Sequence, residues 1–532
     1  MANNTITSNA AMKGGAISCA SGAPTIVNDI AAFNSSGIEK DAASTVVLRD
    51  NCVYGNTVYN YSGWSTDPTG TDGNISADPR LAGSAYSNLH IQPDSPCVDA
   101  GDDSVVGPDW LDMDGQPRIQ GDHVDIGADE SDGTVWTVNA RIVRVSLDGG
   151  DSNDGSAWNL AKRTVQAGID AASTSGGEVW VKAGKYDERI TLRTFAYVYG
   201  GFSGNETQRL ERNWRANVTV LDGGGSGSVV TSTDPGYLLS CVDGFTIRGG
   251  DASVGGGVYC NFSSPGIANN VITENHASST GAGVYCYSSS AMISNNTITA
   301  NNAVSRGGGI YGYSFAPTIV NNTVAGNNGS SGGGMGFLSS NPVVSNNIIA
   351  FNSSGIYKSL GSVTLNSNCV YGNTAYNYSG PAPGVGDISV DPLLVDGTGG
   401  DYHIARVSPC IDSGYDTGAP GFDADGMIRP QDGNGDGTAI CDIGAYEYPL
   451  NLGAAKRTYP DGHPVALGGV SVTAVFAADG RIYVERTDRT SGVRVDTTET
   501  FSIGQVVNLS GALQTDPIAG ERYALASPPW PQ

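Results

Sequence analysis

The sequence predicts an all-β protein built mainly of stacked coils of short strands, and three observations lead there. A glycine- and asparagine-rich phrase is written four times between Gly255 and Asn352. It keeps a period of 25 to 26 residues, and fixed periods of that size mark stacked repeats. Within the period there is no ten-residue run with helical spacing, only short alternating runs broken by Gly, Ser and Asn.

Each copy opens with glycines and an apolar or aromatic run: Gly255-Gly256-Gly257-Val258-Tyr259, Gly281-Ala282-Gly283-Val284-Tyr285, Gly307-Gly308-Gly309-Ile310-Tyr311 and Gly332-Gly333-Gly334-Met335-Gly336. An asparagine pair follows at Asn269-Asn270, Asn295-Asn296, Asn321-Asn322 and Asn346-Asn347, with a further Asn in register at Asn275, Asn301, Asn327 and Asn352. Three short strands per period suit one coil of a right-handed parallel β-helix. Asn fits the tight turn because it tolerates a left-handed backbone, and stacked about 4.8 Å apart its amides can bond from coil to coil. A disordered polar loop would not keep Val258, Val284, Ile310 and Met335 in register.

These repeats resemble the pectin-lyase-like right-handed β-helix family. The resemblance implies the fold; it leaves function open, because that solenoid carries lyases, hydrolases, adhesins and inert surface proteins.

With 75 Gly in 532 residues, 15% charged and 39% hydrophobic, the composition fits a long all-β chain dense in turns. The net charge of −25 disfavours a nucleic-acid partner, while calcium and neutral or locally held anionic polysaccharides stay open. No run of 18 apolar residues offers a membrane span. No signal peptide opens the chain, and Asn3-Asn4-Thr5-Ile6-Thr7 repeats Asn295-Asn296-Thr297-Ile298-Thr299, the middle of a coil. The expectation is therefore an amino-terminally truncated chain, with room for an export signal upstream.

Nine cysteines do not make a disulfide scaffold. Cys260 and Cys286, one period apart, read as stacked buried thiols. Cys52 and Cys97 recur as Cys369 and Cys410, which makes those pairs the bridge candidates, and Cys441 leaves the pairing open.

Residues 1–133 read as a partial β-helix with its closing segment. Ile30 to Ile38 matches Ile348 to Ile356, Asn51 to Asn56 matches Asn368 to Asn373, and Asp125-Ile126-Gly127-Ala128 matches Asp442-Ile443-Gly444-Ala445. A complete β-helix is expected over 134–450. Helical spacing of Leu160, Val165, Ile169 and Ala172 predicts a capping helix from Asn159 to Ala172, and residues 380–448 break the period and close the solenoid. That closing stretch resembles the end region of surface-anchored bacterial β-helix proteins. Residues 451–532 switch to alternating strands, and Ile482-Tyr483-Val484-Glu485 followed by Ser491-Gly492-Val493-Arg494-Val495 resembles small OB-like barrels.

Three groups of residues carry candidate chemistry. Asp432, Asn434 and Asp436, with Asp442 further on, place oxygen ligands at alternating positions around glycines, as a structural calcium loop does; the carboxylate expected at the twelfth position is missing. If Val258, Val284 and Ile310 point inward, Tyr259, Tyr285, Tyr287, Tyr311 and Tyr313 turn outward as an aromatic stripe suited to the apolar faces of sugars. Glu274, His276 and Arg306 are the charged exceptions on nearly neutral coils and form the candidate catalytic set. His90 and His403 occupy equivalent places in the two closing segments and read as structural.

The reading is an extracellular or cell-surface β-helix protein that binds or scaffolds polysaccharide without turnover. A polysaccharide lyase or glycoside hydrolase is the enzymatic alternative, and an adhesin or spacer the third.

Overall fold

The computed structural model describes the chain apart from residues 10, 12–13, 57, 84–87, 137–140, 175, 235–236, 315, 451–455, 457–460, 462–463, 477–479, 487–491, 498–500, 517–521 and 527–532. Its centre is a solenoid of three parallel sheets. The first has nine strands, from Arg141–Val145 to Thr364–Asn366. The second runs over eight strands from Gly184–Tyr186 to Cys369–Tyr371, and the third over eight from Ile190–Leu192 to Tyr378–Ser379. From Gly177 onward each coil contributes one strand to every sheet, and each strand pairs in parallel with its counterpart in the next coil; Arg141–Val145 adds a ninth strand to the first sheet alone.

The apolar positions stack as the period requires. Val258, Val284, Ile310 and Met335 follow one another in register along the third sheet, and all are buried. The first Asn of each pair takes the left-handed backbone at the turn, with φ of 55° at Asn269, 55° at Asn295, 52° at Asn321 and 57° at Asn346. The second Asn builds the ladder. The Nδ2 of Asn270 donates to Asn296 at 3.1 Å, Asn296 to Asn322 at 3.0 Å, Asn322 to Asn347 at 2.9 Å and Asn347 to Asn368 at 3.1 Å. A second ladder joins Asn275, Asn301, Asn327, Asn352 and Asn373 with bonds of 3.0 to 3.1 Å. These buried amides satisfy one another and the carbonyls of the turns, so the corners of the coil carry few orphaned polar groups.

The helix at the solenoid's start spans Val165–Ser173, shorter than the expected stretch from Asn159. Thr164 sets its beginning: the hydroxyl accepts from the Ala167 amide at 3.2 Å. Trp158–Leu160 forms a separate 3-10 turn, which leaves Leu160 exposed, while Val165, Gly168, Ile169 and Ala172 cover the end of the core.

Residues 1–75 repeat the coil pattern in short form. Thr5–Thr7, Ile30–Ala32 and Cys52–Tyr54 pair in parallel, as do Ile17–Cys19, Ile38–Lys40 and Tyr61–Ser62. Their asparagines ladder as well, with Asn34 donating to Asn56 at 3.0 Å and Asn51 to Asn74 at 2.9 Å.

The segment after the last central coil does more than close an end. It runs back along the outside of the coils. Gly444 donates to the Asn346 carbonyl at 2.8 Å, the Asn321 Nδ2 reaches the Asp442 carbonyl at 3.0 Å, and the Trp214 indole donates to Ala424 at 2.8 Å. The amino-terminal unit has the same strap: Gly127 donates to Asn28 at 2.8 Å and Ala128 to the Thr5 hydroxyl at 3.0 Å.

At the carboxyl end, Pro464–Phe476, Arg481–Arg486, Gly492–Asp496, Arg522–Ala526 and Val506–Thr515 pair as a closed five-stranded barrel around Leu467, Val472, Ile482, Val484, Val495 and Leu513.

All nine cysteines are free thiols, so the expected bridges are not formed. Cys52 and Cys97 nevertheless lie in one buried cluster, as do Cys369 and Cys410, where each strap crosses its coils. Cys260 and Cys286 stack on adjacent strands as anticipated.

Candidate functional site

The aromatic residues of the third sheet stand on Val258–Asn261, Val284–Tyr287 and Ile310–Tyr313, alternating with the inward Val258, Val284 and Ile310. They form two columns. In the first, Tyr259 and Tyr285 stack with centroids 5.7 Å apart, and Tyr285 and Tyr311 at 5.8 Å. In the second, Tyr287 and Tyr313 lie 5.2 Å apart, and Phe262 meets Tyr287 edge-on at 5.1 Å.

The columns differ in what they offer to solvent. Tyr311 is buried, its ring passing over Gly336 of the next coil, where a side chain would collide with it. Burial pushes the Tyr285 hydroxyl up to about 12, with the neighbouring tyrosines adding to the shift, so it stays a neutral donor and acceptor. In the second column Tyr313 is 36% exposed and Phe262 59% exposed. Sequence reasoning missed Phe262 because it sits one position past the strand, at φ 54°, in the turn place that Ser288, Ser314 and Ser339 hold in later coils. Its aromatic character at a serine position was the available signal.

Glu274, His276 and Arg306 each engage a different partner. His276 Nδ1 lies 2.8 Å from Asp251, Glu274 is 3.9 Å from Arg248, and the Arg306 guanidinium sits 5.7 Å from the centre of the Tyr357 ring. The register explains the separation. Arg306 pairs with Thr280, at the far end of His276–Thr280, so four strand residues, about 13 Å, separate it from His276.

Around Asp432 the oxygens bond the turn's own amides. Asp432 Oδ1 accepts from Gly435 at 2.6 Å and from Asp436 at 3.1 Å, its Oδ2 accepts from Gly437 at 3.0 Å, and Asn434 Oδ1 accepts from Asp436 at 2.7 Å. Asp442 faces away into the strap. It is buried and accepts from the Asp412 amide at 2.7 Å, and burial beside Glu447 raises its pKa.

The cluster that brings metal-ligand atoms together, among the described residues, is a different one: His90, Asp114 and Asp129, with donor atoms within 4.8 Å of one another. One imidazole and two carboxylates form a generic divalent-ion set, and nothing in it specifies calcium. His90 lies in the strand Asn88–Ile91, stacked on Trp136 at 3.7 Å. Its partner residues come from the far end of the strap, a separation of 24 and 39 residues that spacing along the chain does not reveal.

The central strap contains the counterpart. His403 Nε2 lies 2.7 Å from Asp425 and its ring packs on Tyr446 at 4.2 Å. Although burial opposes it, the Asp425 and Asp401 carboxylates raise the His403 pKa. A cavity of about 200 Å³ opens beside it, lined by Trp214, Arg215, Phe245, Asn270 and Tyr446.

Residues 213–386 match the family described as "Right handed beta helix region", 174 of the 532 residues. The central parallel solenoid, residues 141–379, is thus a right-handed β-helix region. No curated protein matches the chain. No helix among the described residues is long and apolar enough to cross a membrane.

Proposed function

We propose that this is an extracellular or cell-surface protein that binds or scaffolds polysaccharide along the third sheet of its central β-helix. The observation that carries this reading is the second aromatic column, Phe262, Tyr287 and Tyr313, which presents exposed ring surface across adjacent coils. Ring surface of this kind packs on the apolar faces of sugars, and neutral tyrosine hydroxyls beside it serve sugar hydroxyls. The fold agrees, since β-helices of the pectin-lyase-like kind are often linked to carbohydrate binding or turnover. A non-catalytic role is favoured by the separation of His276 from Arg306 and by the separate pairing of Glu274.

In this reading the chain divides into a β-helix unit with its strap over 1–133, a complete one over 134–450 and an OB-like accessory barrel over 451–532. The matching parallel pairings and straps of the first two support the division.

The test is incubation of the purified protein, with and without calcium, against plant, algal and bacterial polysaccharides, measuring bound fraction and chain length. Binding without shortening, weakened in Tyr313→Ala and Phe262→Ala, is the expected result. Shortened chains, lost in His276→Ala or Arg306→Ala, would replace it with a lyase or hydrolase; neither binding nor shortening would leave an adhesin or spacer.

A further inference from the structure

The two straps are built on the same plan, residue by residue, and their differences fall at one point. Each holds a histidine on a short antiparallel strand, His90 on Asn88–Ile91 and His403 on Asp401–Ile404. Each histidine faces an aspartate of the same turn. Asp112 accepts from the Asp114 amide at 2.9 Å, and Asp423 accepts from the Asp425 amide at 2.9 Å. Behind them, Met113 donates to the Ala128 carbonyl at 3.1 Å and Ala424 to the Ala445 carbonyl at 2.9 Å, which makes Asp129 and Tyr446 equivalent positions.

In the central strap a fixed cation fills the space between these groups. The Arg215 guanidinium lies 2.8 Å from Asp425 Oδ1 and donates to the Tyr446 hydroxyl at 3.1 Å. His403 stands between Asp401, at 2.5 Å from Nδ1, and Asp425, at 2.7 Å from Nε2, and is held toward its charged form. Arg215 and a histidine held toward its charged form thus meet two carboxylates.

The amino-terminal strap moves the second acid from one side of the histidine to the other. Tyr446 becomes Asp129, a second acidic group, and Asp401 becomes Asn88. Among the described residues no arginine or lysine side chain pairs with the carboxylate of Asp114 or Asp129; Arg118 reaches only the Asp129 backbone carbonyl, at 3.5 Å. Asp129 is 2% exposed; its Oδ2 accepts the Ile91 amide at 2.8 Å, and its other oxygen has no hydrogen bond among the described residues. The Asn88 Oδ1 accepts the backbone amide of His90 at 3.3 Å and lies 2.6 Å from Nδ1, so Nδ1 carries the proton. In the neutral ring, Nε2 then presents a lone pair to the Asp114 carboxylate at 2.8 Å, a contact that only a positive species between the two makes favourable. An imidazole fixed through Nδ1–H, with Nε2 turned toward carboxylates, is the arrangement that orients a metal-ligating histidine.

We propose that the amino-terminal strap holds a divalent first-row metal ion on His90 Nε2, Asp114 and Asp129, in the place that Arg215 takes in the central strap. The mixed nitrogen and oxygen donors favour an ion such as Zn²⁺ or Mn²⁺ over calcium, which takes six to eight oxygens. The ion ties the strand carrying His90 to both arms of the strap, as Arg215 ties the central strap to its own coils.

The experiment is calorimetric titration of the EDTA-treated full chain with Zn²⁺, Mn²⁺ and Ca²⁺, alongside thermal unfolding with and without each ion. Expected are one Zn²⁺ or Mn²⁺ per chain, weaker Ca²⁺, and a rise in unfolding temperature on loading. His90→Gln and Asp129→Asn should each weaken binding by more than about tenfold, while His403→Gln leaves it unchanged. Asp114→Asn, on an exposed turn, removes a ligand without disturbing the buried strap, and its circular dichroism serves as the folding control. Mn²⁺ separates the site from the free thiols, which prefer softer ions. Absence of Zn²⁺ and Mn²⁺ binding, or binding that persists in all three variants, overturns the proposal and leaves the cluster a structural contact of the strap.

Discussion

Arg429 and Glu447 face each other 3.1 Å apart with side chains 1% and 0% exposed, an ion pair buried within the central strap. Arg118 and Glu130 repeat it in the amino-terminal strap at 3.9 Å, again with both side chains buried. The glutamates do more than balance charge: Glu447 accepts the amides of Gln431 at 3.0 Å and Asp442 at 2.8 Å. Removing one partner of such a pair strands the other in low dielectric. Arg429→Ala is expected to lower stability by about 3 to 5 kcal/mol in urea unfolding, and a loss under about 1 kcal/mol would show that the strap does not depend on the pair.

Stability should also depend on pH through these carboxylates. Burial first, then neighbouring acids, pushes Asp125 and Asp423 up to about 6, Glu447 to about 7 and Glu130 to about 8. Unfolded acids titrate near 4. The folded chain therefore holds these protons more tightly; the resulting stability is complete below about pH 4 and is lost as pH rises through the folded values. From these groups, unfolding free energy should fall between pH 5 and pH 8, by about 2 kcal/mol or more, with a shallower slope in Glu130→Gln. A rise over that window would contradict the assignment.

The inner asparagine ladder gives a second stability test. Asn322 is fully buried, donates to Ile293, Val320 and Asn347, and accepts from both the backbone and side-chain nitrogens of Asn296. Asn322→Ala strands several of these groups and should cost about 3 kcal/mol or more. Asn328→Ala, on an exposed Asn with a 2.9 Å bond to Asn302, should change stability by less than about 0.5 kcal/mol. Equal effects in chemical denaturation would refute the ladder as a source of stability.

Coil packing predicts a contrast between two glycines. A Cβ at Gly283 would lie 2.4 Å from the Gly309 carbonyl oxygen of the next coil, so Gly283→Ala forces coils apart and should prevent folding or cost several kcal/mol. At Gly326 nothing lies within 4 Å, and only the left-handed φ of 67° resists a side chain; Gly326→Ala should cost about 1 kcal/mol. Thermal unfolding of both variants decides the matter, and similar midpoints would mean that the coils are not this close.

The sequence by itself determined the coil. The repeated phrase of 25 to 26 residues placed the inward Val258, Val284, Ile310 and Met335, the left-handed Asn turns and the amide ladders, because a solenoid stacks each residue on its counterpart one period away. The duplicated closing phrases were equally legible. Tertiary structure decided what those phrases do, since the strap bonds residues more than 100 positions apart, as Asn321 does with Asp442 and Trp214 with Ala424. It also decided the exposure of the aromatic columns, where Gly336 lets Tyr311 sink while Phe262 stays open, and the union of His90 with Asp114 and Asp129. Periodicity reports contacts between neighbouring coils; a chain that folds back across several coils obeys no period, so its contacts follow only from the path it takes in space.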